Sequence, residues 1–287
     1  MFPVFTRPAF AEDTNDEEVG VEWIEDYSAY NEAHDDSLEP LDKIDDNVEG
    51  FYDTLYSECG WTKRFNMYEG SAWESDFEKY SVGGYDHIWI DTVDFAYFSG
   101  HGYYDHFPFN VDADNNDYDW RVHYTEVSWG DKDLEWIVIS SCLVLNCAPD
   151  GYPGVKNRWG WPVFHGLHAI LGFHSVAVDK LMDGPFAIYP SPGEMFVHTM
   201  IGDVTGDEEK IGKSWELMTD EWQGQGHPYG DIWGACLGQV KRVRVAPREF
   251  HNYIGYNDYL RGYGYVMDDM DPPHAIAYHK WLCEPWT

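Results

Sequence analysis

Three short apolar runs constrain the fold of this chain more than any other feature. They lie at residues 88–90, 95–98 and 136–139, and each is bounded by turn-forming residues. Nearly continuous hydrophobic runs of this length are typical of strands that are buried on both faces of a parallel sheet. The runs therefore predict an α/β fold with a mostly parallel central sheet and helices on both faces of it.

Strand and helix patterns alternate along most of the remaining chain. Alternating or β-branched apolar residues predict further strands at residues 19–27, 106–111, 120–127, 172–178 and 239–245. Apolar residues at steps of three and four predict helices at residues 41–59, 161–171, 195–201 and 211–222. Gly60 stands where a C-terminal cap of the first of these helices belongs.

The domain organisation follows from the length and from shifts in composition. A chain of 287 residues fits one large domain. Residues 1–18 form an acidic N-terminal segment, and residues 19–223 carry the alternating elements. Residues 224–287 are rich in Gly, Tyr and Trp, and we interpret them as a C-terminal extension packed on the same domain.

The charge balance excludes some classes of partner. The chain has 18 Lys and Arg against 52 Asp and Glu, a net charge of −34, and no basic stripe stands out in the sequence to offset it. Such a chain repels phosphate backbones, so we expect no nucleic-acid partner. No apolar stretch reaches the ~18 residues that a membrane span needs.

The five cysteines leave the cellular compartment open. An odd number leaves at least one free thiol in a monomer, namely among Cys59, Cys142, Cys147, Cys236 and Cys283. One free thiol beside two disulfides suits a secreted protein, and five thiols suit a cytosolic one. Of the two settings, we favour an extracellular or cell-surface location.

Two of the apolar runs end in the same way. Residues 95–98 lead to His101 and residues 136–139 lead to Cys142, in each case through two small residues. Because ligands bind at the carboxyl ends of parallel strands, the two side chains are expected in one crevice. A cysteine needs a neighbouring imidazole to become a good nucleophile. The pair therefore predicts a catalytic dyad.

The small neighbours of the dyad have predicted roles of their own. Gly102 frees the backbone to turn, so that the N–H groups of Gly102 and Cys142 can face a substrate oxyanion. Ser141 leaves room beside the nucleophile and is a candidate substrate-binding residue. Cys147 is the competing nucleophile, but it follows no apolar strand, and we assign it to packing or to a disulfide.

The two junctions resemble those of the cysteine peptidase clan that contains caspases, metacaspases, legumain, gingipains and separase. In that clan one apolar strand ends in His-Gly, and a later one ends in Ala-Cys or Ser-Cys. The interval here is 142 − 101 = 41 residues, and the resemblance covers about residues 19–222. It implies a three-layer α/β/α sandwich of the caspase-haemoglobinase type, with residues 19–223 as the catalytic domain.

The resemblance is nearer to the gingipain and separase branch than to true caspases. The caspase signature Gln-Ala-Cys-x-Gly is absent, since Ser-Ser-Cys-Leu-Val stands at residues 140–144. Residues 164–179 and 213–216 are similar to the segments that flank the specificity pocket in that branch. Asp179 would then bind a substrate Arg or Lys, although a helix cap or loop acid is the alternative. Asp26 is a second candidate for that pocket or for orienting His101.

A calcium site is the only cofactor hypothesis that the sequence offers, since the dyad itself requires none. Alternating oxygen ligands are expected from Asp112, Asp114, Asn116 and Tyr118. The loop has Asp117 and His123 where a typical calcium loop has Gly and Glu. The histidines form no His-Glu-x-x-His zinc motif.

Two functions are carried forward from the sequence. The first is a cysteine endopeptidase that acts on proteins or peptides, with cleavage after Arg or Lys. The second is a catalytically silent relative that serves as a structural or assembly protein at the cell surface, for which the Trp and Tyr content and residues 224–287 could supply homo-oligomeric interfaces.

Overall fold

The central sheet is mixed but mostly parallel. A computed structural model describes residues 16–110, 120–182, 188–224, 231–246 and 249–284. Its strands are β1 (Glu18–Trp23), β2 (Thr62–Tyr68), β3 (Phe95–Ser99), β4 (His106–Pro108), β5 (Arg121–His123), β6 (Trp136–Ser140), β7 (Ala169–Phe173), β8 (Trp233–Ala246), β9 (Glu249–Ile254) and β10 (Ala275–Leu282). The sheet order is β10-β8-β7-β6-β3-β1-β2, with β9 also paired to β8. The predicted α/β class is thereby confirmed.

Parallel pairing holds from β2 to β7, and the direction changes at β8. Strand β8 is antiparallel to β7, and both β9 and β10 are antiparallel to β8. The residues after 224 therefore supply strands of the same sheet. The short strands β4 and β5 form a separate antiparallel pair, where two longer strands were predicted.

Long helices cover one face of the sheet. The α-helices in the described part of the chain are α1 (Ser28–His34), α2 (Ile44–Cys59), α3 (Pro192–Met200) and α4 (Ile211–Gln223). Helices α2, α3 and α4 pack on the face to which Phe95 and Tyr97 of β3 point. Helix α2 ends as predicted, because Gly60 adopts the left-handed conformation (φ 77°) that closes a helix.

The opposite face is covered differently. It receives Ala96 and Phe98 of β3, which alternate with the residues on the helical face, as expected for a strand buried on both sides. In the described ranges its cover consists of α1, short 3₁₀ turns, the β4–β5 pair and a π-helical turn at Lys156–Gly160. Aromatic side chains such as Phe77 and Trp129 fill the space between them.

Two predicted elements are wrong, for local reasons. Residues 88–90 form turns and the start of a 3₁₀ helix, because the Asp86 carbonyl accepts the N–H groups of Trp89 and Asp91. Residues 161–171 do not form a helix, since Pro162 lacks an N–H group and Gly166 has φ 127°. Strand β7 therefore begins before the strand predicted at residues 172–178.

Two further global features bear on function. None of the described helices has the length and apolar character that crossing a membrane requires. All five cysteines are free, so Cys142 and Cys147 are thiols. The predicted alternative of a disulfide at Cys147 is therefore wrong.

Candidate active site

The in-register pairing of β3 with β6 aligns the two candidate catalytic residues. Ser99 pairs with Ser140 at the ends of the two strands. His101 and Cys142 each follow two residues beyond that pair, so they leave the sheet at the same level. The equal offset is the geometry that the two matching junctions predicted.

His101 and Cys142 line one small cleft of about 60 Å³. The cleft opens at the carboxyl ends of the strands, where parallel sheets bind their ligands. Asp179 lies in the same lining, which brings together three of the residues predicted from the sequence. The lining is completed by Leu41, Ile44, Ser99, Gly100, Ser140, Ala177, Val178 and Trp222.

His101 is held by two groups outside the predicted dyad, one at its imidazole ring and one at its backbone N–H. Its Nε2 lies 2.7 Å from the Glu39 carbonyl oxygen, and its backbone N–H donates to Tyr27 Oη at 2.9 Å. Because a carbonyl only accepts, Nε2 carries the proton in the neutral ring, which leaves Nδ1 as the basic nitrogen. Burial lowers the pKa of His101, partly offset by the Glu39 carbonyl and nearby acids.

The thiol of Cys142 is bonded to the backbone of Ala177. The Ala177 N–H donates to Sγ at 3.3 Å, and the thiol lies 3.6 Å from the Ala177 oxygen. Burial raises the pKa of the Cys142 thiol, partly offset by the Ala177 N–H group. Burial thus disfavours the charged forms of both side chains.

The residue after Cys142 has a strained backbone. Leu143 has φ 65°, a left-handed conformation that costs a non-glycine residue about 1–3 kcal/mol. Its N–H donates to the Ser175 oxygen at 3.0 Å, which holds the turn in place. Such strain commonly clusters at functional sites, where it fixes the direction of one side chain.

Asp179 has one carboxylate oxygen engaged and one available. Oδ2 accepts the Lys43 N–H at 3.0 Å, at the start of α2, whose own N-cap side chain makes no capping bond. Oδ1 is buried, and no described residue forms a hydrogen bond with it. Burial raises the pKa of Asp179, partly offset by the backbone N–H groups of Lys43 and Asp42. Asp179 therefore accepts a hydrogen bond at the start of α2 and also lines the cleft.

The segment that carries Asp179 is clamped by the end of α4. The side-chain amide of Gln223 accepts the Val178 N–H at 3.0 Å and donates to the Val178 oxygen at 2.9 Å. The Trp222 indole donates to the Lys180 oxygen at 2.7 Å. These bonds fix the cleft wall on either side of Asp179.

Gly102, Ser141 and Asp26 are not among the described residues that line the cleft. Ser141 is buried, and its hydroxyl lacks a hydrogen-bond partner in the described part of the chain. Asp26 is exposed, and its carboxylate accepts both the N–H and the hydroxyl of Ser28 at the start of α1. The structure thus separates Asp26 from the pocket that contains Asp179.

The predicted calcium ligands Asp112, Asp114, Asn116 and Tyr118 lie outside the described residues. Within the described ranges, no group of three or more His, Cys, Asp or Glu side chains is arranged to hold a metal ion.

Sequence reasoning missed the residues that hold the dyad. Glu39 and Ala177 act through backbone atoms, for which a sequence carries no signal. Tyr27 and Gln223 act through side chains, but 74 and 45 residues separate them from their partners. One signal existed for Gln223, since a polar residue that ends an amphipathic helix beside Trp222 must bond locally if it is buried.

The comparisons place the chain in one protein family. The profile described as a domain of unknown function, DUF6345, matches residues 21–282, and the chain belongs to that family. The match extends across the dyad and the strands that follow α4. None of the curated proteins compared with the chain matches it.

Gly102→Ala should disrupt the junction between the two strand ends. A Cβ at this position would lie 2.6 Å from Ser141 Cβ and 2.7 Å from the Cys142 oxygen, distances that require backbone movement. We expect a loss of about 1–3 kcal/mol in the free energy of unfolding. Gly70→Ala is the matched control, since its Cβ would meet nothing within 4 Å. Equal urea midpoints for the two variants would contradict this packing.

The alkylation rate of Cys142 should report a thiol that is protonated at neutral pH. The pKa of Cys142 is raised and that of His101 is lowered. We therefore expect iodoacetamide labelling of Cys142 to rise with pH, with a midpoint above the roughly 8.5 of a free thiol. Mass spectrometry of the Cys142 peptide measures the rate, and Cys142→Ala identifies the signal. A plateau reached below neutral pH would instead indicate a preformed thiolate–imidazolium pair.

Proposed function

We propose that this protein is a cysteine endopeptidase in which Cys142 is the nucleophile and His101 is the general base. The observation that carries the proposal is the shared cleft at the ends of β3 and β6, which both side chains line. A nucleophile and a base on adjacent strand ends, with a third group orienting the base, are the parts that covalent catalysis needs. The Glu39 carbonyl is that third group.

The proposed reaction follows from the hydrogen bonds of the dyad. His101 Nδ1 takes the thiol proton, and Cys142 Sγ attacks the scissile carbonyl carbon. The oxyanion is stabilised by the backbone N–H group of Cys142, since Gly102 does not line the cleft. The imidazolium then protonates the leaving amine, and water hydrolyses the thioester with His101 again as base. The bond from Nε2 to Glu39 keeps Nδ1 free to exchange the proton throughout.

We propose Arg or Lys as the residue that the cleft recognises. Asp179 supports this specificity, because Oδ1 is buried in the cleft wall without a described hydrogen-bond partner. A guanidinium or ammonium group would satisfy that oxygen and favour the charged carboxylate. Asp26 has no part in this pocket, since its carboxylate bonds Ser28.

The finer fold assignment belongs to the same proposal. We propose that the domain is a variant of the caspase-like three-layer sandwich. The support is the order of elements: a parallel core, a His after one strand and a Cys after its neighbour. The variation lies on the second face, where short turns and a π-helical turn in the described ranges stand in for long helices.

One observation favours the second candidate function, a catalytically silent relative with a structural or assembly role. The side chains of His101 and Cys142 each bond a backbone group, Glu39 in one case and Ala177 in the other. In a silent relative these bonds would persist, and Cys142 would never transfer its proton to His101. Activity measurements separate the two functions directly.

Cys142→Ala should abolish hydrolysis of Arg or Lys reporter peptides, together with labelling by thiol-directed acyl inhibitors. His101→Ala should lower kcat by a factor of about 10²–10⁴, the usual contribution of a general base. Cys147→Ala is the control, because Cys147 is a free thiol that does not line the cleft. A positional peptide library with and without calcium supplies the substrate. Labelling of the dyad site that persists in Cys142→Ala would falsify the assignment of the nucleophile.

Asp179→Asn should remove the preference for basic residues while preserving the fold. The asparagine oxygen can still accept the Lys43 N–H, so the start of α2 keeps its partner. Loss of one charged hydrogen bond should lower kcat/KM for Arg substrates by about 10- to 100-fold, mainly through KM. Asp26→Asn is the matched control. An unchanged ratio of Arg to Leu cleavage would rule out Asp179 as the specificity residue.

A further inference from the structure

A two-stranded β-hairpin extends beyond the central sheet. The hairpin arm comprises residues 240–246 of β8 and 249–254 of β9. Strand β8 pairs with β7 and β10 up to Val240, and beyond that residue β9 is its only partner in the described ranges. Residues 249–253 are all exposed, so the arm is in contact with solvent along its length.

The base of the arm is anchored to the body of the domain. Lys241 forms an ion pair with Asp268, the Arg242 N–H donates to His274 Nδ1 at 2.9 Å, and the Tyr253 ring lies against that of Tyr265. These contacts set the direction in which the arm leaves the body. Because a two-stranded hairpin is only marginally stable in water, an exposed arm gains stability from a surface that covers it.

The charge of the arm is opposite to that of the chain. Four of the 18 basic residues of the protein fall within residues 241–248, and no acidic residue occurs between residues 232 and 248. This contrasts with a net charge of −34 for the whole. The sequence interpretation that no basic stripe exists is therefore wrong for this segment.

One face of the arm has the composition of a binding surface. Arg242 and Phe250 lie on the same face, with the guanidinium 4.2 Å from the centre of the ring. Phe250 is 44% exposed, and Val245, at the bulge of the arm, is 47% exposed. Arginine and aromatic side chains carry much of the energy in protein interfaces. A stacked Arg–Phe pair is a rigid, partly apolar cation suited to an acidic protein surface.

We propose that the hairpin arm docks on the acidic outer face of α2 in a second copy of this chain. That face presents the exposed carboxylates of Asp46 and Glu49, three residues apart, next to Asp53, which forms an ion pair with Lys63. Neighbouring like charges at this spacing destabilise a helix, and an arriving cation relieves the repulsion. The contact joins a basic surface of one copy to an acidic surface of the next.

The net charge of each copy does not prevent this contact. At roughly 0.15 M salt the Debye length is about 8 Å, so a docked arm responds to the α2 acids and not to distant charges. Burial and then Asp53, Asp45 and Asp46 raise the pKa of Glu49, partly offset by Lys63.

Nucleic acid fits the arm less well than this surface. Proteins that bind DNA through its backbone typically contact about 6–10 phosphates. The arm has four cationic residues by sequence, and Lys241 is already paired with Asp268. Valines and the Phe250 ring occupy the positions between the cations, which suits a protein surface.

Sedimentation velocity over a range of protein concentrations, at roughly 0.15 M salt, tests the proposal. The wild-type chain should associate reversibly, and Arg242→Glu should raise the dissociation constant about tenfold or more. Lys156→Glu makes the same charge change at an exposed residue outside the arm and should have little effect. Circular dichroism of each variant checks that the fold is intact.

A charge-swap mixture identifies the receiving surface. A chain with Asp46→Lys and Glu49→Lys should also lose self-association. Mixed with Arg242→Glu, it should associate again, because one chain retains the arm and the other retains the acids. A wild-type chain that stays monomeric overturns the proposal, as does self-association that survives the α2 substitutions.

Fluorescence anisotropy with a labelled oligonucleotide completes the test. Tight binding that Arg242→Glu abolishes would assign the arm to nucleic acid instead. None of these outcomes depends on peptidase activity.

Discussion

The in-register parallel pairing of β3 with β6 is the constraint on which the rest of the site depends. Ser99 and Ser140 are partners, so residues two positions beyond them emerge at one level. Because side chains alternate along a strand, a slip of one residue would turn every apolar side chain of β3 to the opposite face. Both faces of β3 are buried, which makes that slip costly. The same burial that forms the core thus sets the relation of His101 to Cys142.

The register is also fixed from the other end of the sheet. Asp94, Glu135 and His168 immediately precede β3, β6 and β7, and all three are buried. Arg261 bonds Asp94 and Glu135, while Asp258 and Asp269 bond His168. Burial alone would lower the pKa of His168, but these two carboxylates outweigh it and raise the pKa to about 9. Buried ions tolerate few alternative pairings, so residues 258–269 hold the central strands in register.

Strand positions that depend on the hydrophobic pattern were predicted from the sequence. Features that depend on hydrogen bonds to particular backbone groups were not. Continuous apolar runs located β3 and β6, and the small residues after them pointed to His101 and Cys142, which line one cleft. The similar run at residues 88–90 is not a strand, because the Asp86 carbonyl captures its N–H groups within a local turn. Likewise, no pattern could assign Glu39 to His101 or Ala177 to Cys142, since any residue type provides a carbonyl and nearly any an N–H. Of the predicted pocket acids, Asp179 lines the cleft, and Asp26 instead accepts hydrogen bonds from Ser28 at the start of α1.

In the free chain, His101 and Cys142 form hydrogen bonds of unequal strength. This difference bears on how the proposed enzyme would become active. The bond from His101 to the Glu39 carbonyl is short and orients the base, so it is compatible with catalysis. The contacts of Cys142 with Ala177 involve sulfur, which is a weak donor and a weak acceptor. A substrate backbone entering the cleft could replace them at little cost. The thiol would then be released at the moment that substrate binds, while the imidazole is already aligned.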